Sequence, residues 1–517
     1  METRRKNVFT NLSIGVGTQI VSVVLGLFVR RIFLQYLATE YLGVNNLFSN
    51  VLTVISIAES GAGGVFESCL YVPIFQKNWK KVYALLITMR KFFLVCTFFV
   101  IVFGLACIPC FGWVIGNSSI PNIKYVYSLF LIKTVITYLY SHYISLLNAA
   151  QKNYLYVLFT RVFSFIQYGL QIFALIIFHS FELFITFQTI CAIIPIFLLK
   201  YKCKHDYGFV FSEEPEILTA SDKTVIKRKI YSGFWIHFSY VLFTGTDTII
   251  ITKLLGLYTA GLYANYITVA YCLYAFLQIV KTSFVASIGN YIAEKDSSTV
   301  FKLFKRLLFA YMIMVFFCFG CFFILINSFI TVWLGEQFLL RQTFVLLFSL
   351  SCVFGSYGFD ALLSAFKWGA GLYVKDKYCY LGSALANIFL SVLFGSKFGI
   401  NGILLATVIA SAITIVSSSF VLSKYLFKVN IVSLVGDILL YVSLLSCVVA
   451  IVYVIIRHMK VGSFLGFFYK SFITAILLFI VMVLFNSWRT ECREYISGFY
   501  SGIRRFMNKI SDRRYRK

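Results

Sequence analysis

The sequence predicts an all-α polytopic membrane protein with about fourteen transmembrane helices, in two six-helix lobes plus two C-terminal helices. Three observations carry this. The 517 residues are 60% hydrophobic and 13% charged, against about 25% charged in soluble domains. Apolar runs long enough to span a bilayer, roughly 20 residues, recur from end to end. The connections between them alternate between basic and basic-poor, as orientation by cytoplasmic Lys and Arg requires.

In chain order the runs lie near 11–37, 44–72, 82–108, 123–149, 153–178, 181–200, 230–254, 260–290, 303–327, 340–366, 373–396, 399–423, 431–456 and 463–485. The N-terminal METRRKNVFT precedes a full-length run without a small-residue cleavage site, so it reads as a retained first helix. The basic connections hold Lys77, Lys80 and Lys81, then Lys152, then Lys200 to Lys229, then Lys295, Lys302, Lys305 and Arg306, then Lys367, Lys375 and Lys377, then Lys424 and Lys428. The intervening ones, such as ATEYLGVNN and HSFE, carry few or no basic residues. An even span count with both termini cytoplasmic satisfies the alternation. The net charge of +26 is therefore assigned to the inner membrane surface and not to nucleic acid.

The predicted organisation is a six-helix lobe (1–201), a cytoplasmic inter-lobe loop (202–229), a second six-helix lobe (230–424), two further helices (425–486) and a basic amphipathic cytoplasmic tail (487–517). The tail places Ile496, Phe499, Ile503, Phe506 and Ile510 at helical spacing, with Arg504, Arg505, Lys509, Arg513 and Arg514 as the basic complement, which suits an anionic leaflet. The halves echo each other. TEYLGVNNLFSN (39–50) and LYTAGLYANYIT (257–268) read as matching Gly-containing turns, with Gly43 opposite Gly261 and Arg30 opposite Thr248. FGINGILLAT (398–407) is a third copy. Internal repeats are common in transporters.

Charges inside the membrane cost about 2.5–3.5 kcal/mol each on insertion scales, so they face protein or water. Arg30, Arg31, Lys133 and Lys281 are the candidate lining of a cationic cavity. Glu59, Asp247 and Asp360 are candidates for a coupling proton or sodium ion, or for static pairs such as Arg30–Glu59 and Asp247–Lys281. Arg90, Arg161, Glu67, His142 and His237 lie nearer the cytoplasmic edge, within reach of snorkelling. The thirteen Cys fall mostly in apolar runs and read as small buried hydrophobes. A P-loop and HExxH are absent, and the outer connections are short. No enzyme activity and no cofactor is expected.

Several stretches resemble the bacterial polysaccharide-repeat flippases of the multidrug/oligosaccharidyl-lipid/polysaccharide exporter superfamily. They are RRIFLQYLATEYLGVNNLFSNVLTVISIAESGAG (30–63), LYVPIFQKNWKKVYALL (70–86), LLNAAQKNYLYVLFTR (146–161), TDTIIITKLLGLYTAGLYANY (246–266), SFVASIGNYIAEKD (283–296) and FITVWLGEQFLL (329–340). The resemblance implies a MATE-like fold. It also implies translocation of an undecaprenyl-diphosphate-linked oligosaccharide across the bacterial inner membrane by alternating access, for O-antigen, capsule or exopolysaccharide. Expected partners are that lipid-linked substrate, membrane lipids, a polysaccharide polymerase and a chain-length regulator. Arg30 would meet the diphosphate. A multidrug exporter of the same superfamily and a non-transporting scaffold of the assembly complex are the alternatives.

Overall fold

The computed structural model describes residues 21–56, 62–116, 120–355, 358–372, 375, 377–489 and 492–493. Glu59 and the predicted interfacial tail beyond Arg493 lie outside the described residues. Every regular element among the described residues is helical. This follows from the solvent: within hydrocarbon each backbone N–H and C=O must find its partner inside the segment.

The helices are α1 (21–36), α2 (Thr39–Ile55), α3 (Ala62–Phe75), α4 (Trp79–Cys107), α5 (Ile123–Ala149), α6 (Asn153–Phe178), α7 (Phe181–Phe211), α8 (Ala220–Glu294), α9 (Ser297–Trp333), α10 (Gln342–Phe354), α11 (Phe359–Gly369), α12 (Lys377–Phe398), α13 (Ile400–Leu422), α14 (Ile431–Ile456) and α15 (Phe464–Asn486). Eleven helical stretches among the described residues are long and apolar enough to cross a membrane, with α10 and α11 counted together as one. One of these, α8, leaves helical geometry at Gly256 (φ 85°, ψ 168°) and so contains two segments of span length. With α1 and the α2–α3 pair in the first two predicted positions, the layout matches the expected fourteen.

Three boundaries differ from expectation. The connection after the sixth span is mostly helical, because α7 runs on to Phe211 and α8 begins at Ala220. The extension of α7 is held by a Lys202–Asp206 pair one turn apart at 2.9 Å, and Asp206 also meets Lys152 at 3.1 Å. The predicted tenth span is two helices, α10 and α11, separated at 355–358. The predicted turn at 39–50 is instead the start of α2; the chain reverses at residues 37–38.

The described chain packs as two compact units, residues 1–267 with 380–406, and residues 268–379 with 407–517. In the first unit one core cluster gathers aromatic rings from α1, α2, α5 and α7, including Phe33, Phe48, Tyr127, Phe130 and Phe184. A second gathers Phe66, Leu85, Met89, Phe93, Leu146, Leu147 and Leu199, toward the end that bears the basic connections. In the second unit α14 and α15 pack on α9, where Gly320 admits Val449 and Leu478. Asp296 caps α9 by accepting from the Ser298 and Thr299 backbone N–H groups. The bonds from Ser298 and Thr299 hold its carboxyl below the usual carboxylate range.

Phe48 is fully buried, with ring centroids of Phe111 and Tyr127 each at 5.1 Å. Phe48→Ala is expected to destabilise the protein by about 3–5 kcal/mol. It should lower the melting temperature of the purified protein in detergent. Phe173→Ala, at a position 46% exposed, is expected to leave it nearly unchanged. Equal shifts for the two variants would contradict the core described here.

Candidate functional site

The first hairpin and its sequence echo meet at two glycines. A Cβ on Gly43 would collide with the Leu257 carbonyl, and a Cβ on Gly261 would collide with the Thr39 carbonyl. The register that sets Gly43 opposite Gly261 also sets Thr39 opposite Leu257. The contact is therefore reciprocal, as in a two-fold interface: each hairpin offers a glycine to the equivalent carbonyl of the other. The two glycines are needed for close helix approach and not for a turn, which corrects the turn expected at 39–50.

The same symmetry governs the charged residue. Arg30 Nη1 donates to the Ala264 carbonyl at 2.6 Å and reaches Asn265 Oδ1 at 3.4 Å. On the other copy Thr248, its sequence counterpart, has Oγ1 3.1 Å from Asn50 Nδ2 and 3.4 Å from Asn46 Nδ2. Asn46 is the counterpart of Ala264. Arg30 thus reaches across to the position that the equivalent Thr reaches in return. Asn265 is fully buried, and its Nδ2 has no hydrogen-bond partner among the described residues.

Charge alone does not single out these amides in the sequence. The available signal was Asn45, Asn46, Ser49, Asn50 and Thr53 in one apolar helix, a polar stripe at helical spacing. Ser49 and Thr53 turn their hydroxyls back to carbonyls four residues earlier.

Asp247 is 7% exposed and lies between two buried threonines, Thr246 and Thr248. One turn before it, the Phe243 carbonyl accepts from Asn387 Nδ2 at 3.3 Å, and Asn387 Oδ1 accepts from Ser391 Oγ at 2.9 Å. Asn387, Ser383 and Ser391 on α12 are essentially inaccessible. Asp247 therefore sits beside a polar seam inside an apolar unit.

In the second unit Asp360 is 6% exposed and accepts from Ser364 Oγ at 3.1 Å and Ser418 Oγ at 3.2 Å. Ser418 in turn accepts from Lys367 Nζ at 2.7 Å. Lys367, assigned from sequence to a basic connection, is 2% exposed within α11. The serine-bridged carboxylate explains why it stays inside. Asp360 and Lys367 also act electrostatically on Lys281, which is half-buried on α8.

Arg30 is half-buried while Arg31 is exposed, as adjacent helical positions require. Lys133 is half-buried on α5. His142 does not snorkel; it is 5% exposed against the Tyr143 ring. Two C-x-x-C spacings, Cys107–Cys110 and Cys318–Cys321, escape the reading of the Cys as buried hydrophobes. All four are free thiols and Cys110 is exposed. No cluster suited to a metal ion is present among the described residues.

No protein-family model and no curated protein matches the sequence. Solved structures do. A lipid II flippase MurJ in an inward closed conformation superposes with a TM-score of 0.68 at 16% identity, covering 92% of this chain and 99% of that one. An inward-facing multidrug resistance MATE family transporter of the MOP superfamily gives 0.62 at 11%, covering 80% and 98%. A MOP superfamily transporter from Pyrococcus furiosus, described as having a binding pocket of reverse polarity, gives 0.54 at 12%, covering 81% and 96%. The chain has the fold shared by the MurJ and MATE structures.

Gly43→Val and Gly261→Val are each expected to push the hairpins apart and cost about 1–3 kcal/mol by overpacking. The two losses should be similar, because the contact is reciprocal. Gly169→Val, with nothing within 4 Å of its Cβ position, is the reference in the same melting experiment. A loss at only one of the two glycines would contradict reciprocal packing.

Proposed function

We propose that the chain is a flippase of the bacterial inner membrane. It carries an undecaprenyl-diphosphate-linked oligosaccharide from the cytoplasmic to the outer leaflet for surface polysaccharide synthesis, and both its termini are cytoplasmic. The observation that carries this reading is Arg30, a half-buried cation at the crossing of the repeated hairpins, beside the Asn265 amide nitrogen, which has no partner among the described residues. The fold shared with a lipid II flippase supports it.

The chemistry follows from the acceptors. Ala264 and Asn265 offer Arg30 neutral oxygens. Hydrogen bonds from a guanidinium to anionic oxygens are roughly twice as strong as neutral ones, and the planar fork matches phosphate geometry. A diphosphate therefore displaces a carbonyl without stranding a charge. Arg31 and Lys133 in the first unit, and Lys281 in the second, are the other cations assigned to transport. Asp247, beside the Asn387–Ser391 seam, and Asp360, in its serine network, are the carboxylates assigned to a coupling proton or sodium ion.

Drug export is the second reading, because the fold is also that of MATE structures. Organic cations favour an acidic lining, and the basic excess argues the other way. A drug-susceptibility screen of a deletion strain separates the two.

Arg30→Ala is expected to abolish surface polysaccharide while the protein remains in the membrane. Thr248→Val, which breaks the equivalent contact on the other hairpin without touching a charge, is expected to retain export. The comparison is read by complementation of a deletion strain without a paralogue. Equal loss in both variants would show that Arg30 matters only for packing, and normal export by Arg30→Ala would remove it from the transport route.

A further inference from the structure

At the basic end of the first unit, α4, α5 and α7 pack together around Met89, Phe93, Leu146, Leu147 and Leu199. Three nitrogen-bearing side chains converge there: Arg90 on α4, His142 on α5 and Lys200 on α7. Arg90 and Lys200 both act electrostatically on the His142 ring. His142 is 95% buried, and its Nδ1 has no hydrogen-bond partner among the described residues. Among the same residues Arg90 makes no hydrogen bond or ion pair, and Lys200 has only the Tyr140 ring, at 4.7 Å.

Two carboxylates on the helices at this end are engaged elsewhere. Glu67 accepts from Asn148 Nδ2 at 2.9 Å. Asp206 holds Lys152, Lys202 and His205. A cluster of donors without an acid partner, buried at His142 and open to the outside at Arg90, is a place for an anion brought from outside the chain.

We propose that Arg90, His142 and Lys200 form a binding site for a phosphate group, separate from the charges assigned to transport. The surroundings favour the phosphate of an anionic lipid headgroup. One turn deeper than Arg90 on α4 lies exposed Leu94, and one turn deeper than Lys200 on α7 lies exposed Phe197. Each cation thus stands above an outward apolar side chain, the order in which a headgroup precedes its acyl chains. Lys200 over Tyr140 has the aromatic company usual at headgroup depth.

The test uses the full chain, purified in detergent and delipidated. Phosphatidylglycerol, phosphatidylcholine and inorganic phosphate are titrated separately, with retained lipid read by native mass spectrometry and stabilisation by melting temperature. Phosphatidylglycerol is expected to bind at least tenfold more tightly than phosphatidylcholine. The Arg90→Ala/Lys200→Ala double variant is expected to lose that preference. Lys91→Ala, exposed like Arg90 and next to it on the same helix, is expected to keep it. Arg90→Gln, which keeps a polar side chain with an N–H donor but removes the charge, gives the same answer if the double variant is unstable. Binding of inorganic phosphate alone, lost in the same variants, supports the site with a soluble source. Unchanged lipid preference in the double variant and in Arg90→Gln, or binding of neither phosphatidylglycerol nor phosphate, overturns it. Neither result depends on polysaccharide export, so the transport reading stands or falls by its own experiment.

Discussion

The first unit depends on a backbone contact made twice. Gly43 lies against the Leu257 carbonyl and Gly261 against the Thr39 carbonyl. In lipid the hydrophobic effect does not drive helices together, so close packing over small residues has to. The glycines let two repeated hairpins approach to backbone distance. That approach brings Arg30 within reach of Ala264 and Thr248 within reach of Asn50. A side chain at either glycine would separate the donors from their acceptors. The polar chemistry is thus downstream of a steric condition.

The reciprocity limits what can differ between the copies. Backbone contacts tolerate sequence drift, since they ask only for glycine and a carbonyl. Side-chain contacts do not. Where one copy keeps Arg30 the other has Thr248, yet both still reach over to equivalent positions. The asymmetry puts a cation on one side of the crossing and buried Asp247 on the other. An anion and a cation entering this region would therefore meet different walls.

The spans were legible in the sequence because hydropathy and loop charge are averages over many residues. The pairing of Gly43 with Gly261 and of Arg30 with Thr248 was legible as a repeat. What the glycines do was not: a Gly near a chain reversal signals a turn and a close approach equally well. Lys367 was misplaced because a Lys near a helix end normally snorkels, and only the fold reveals Ser418 and Asp360 waiting inside. His142 failed for the same reason, with Tyr143 as its cover. The Asn stripe on α2 was readable, but uncharged polar residues cost less in a membrane and attract less notice.

The manner in which each buried charge is compensated sorts the charges by role. Lys470, 5% exposed, donates to Ser328 Oγ at 3.0 Å and the Met459 carbonyl at 2.9 Å, which ties α15 to α9 and to the preceding connection. Asp360 and Lys367 neutralise each other through Ser418, inside one unit. A ligand entering at Lys470 would have to strip a charge of partners that are already well placed, at a cost of several kcal/mol. Lys470 thus ties helices of the second unit together, while the hydrogen bonds from Arg30 to Ala264 and Asn265 end on uncharged oxygens.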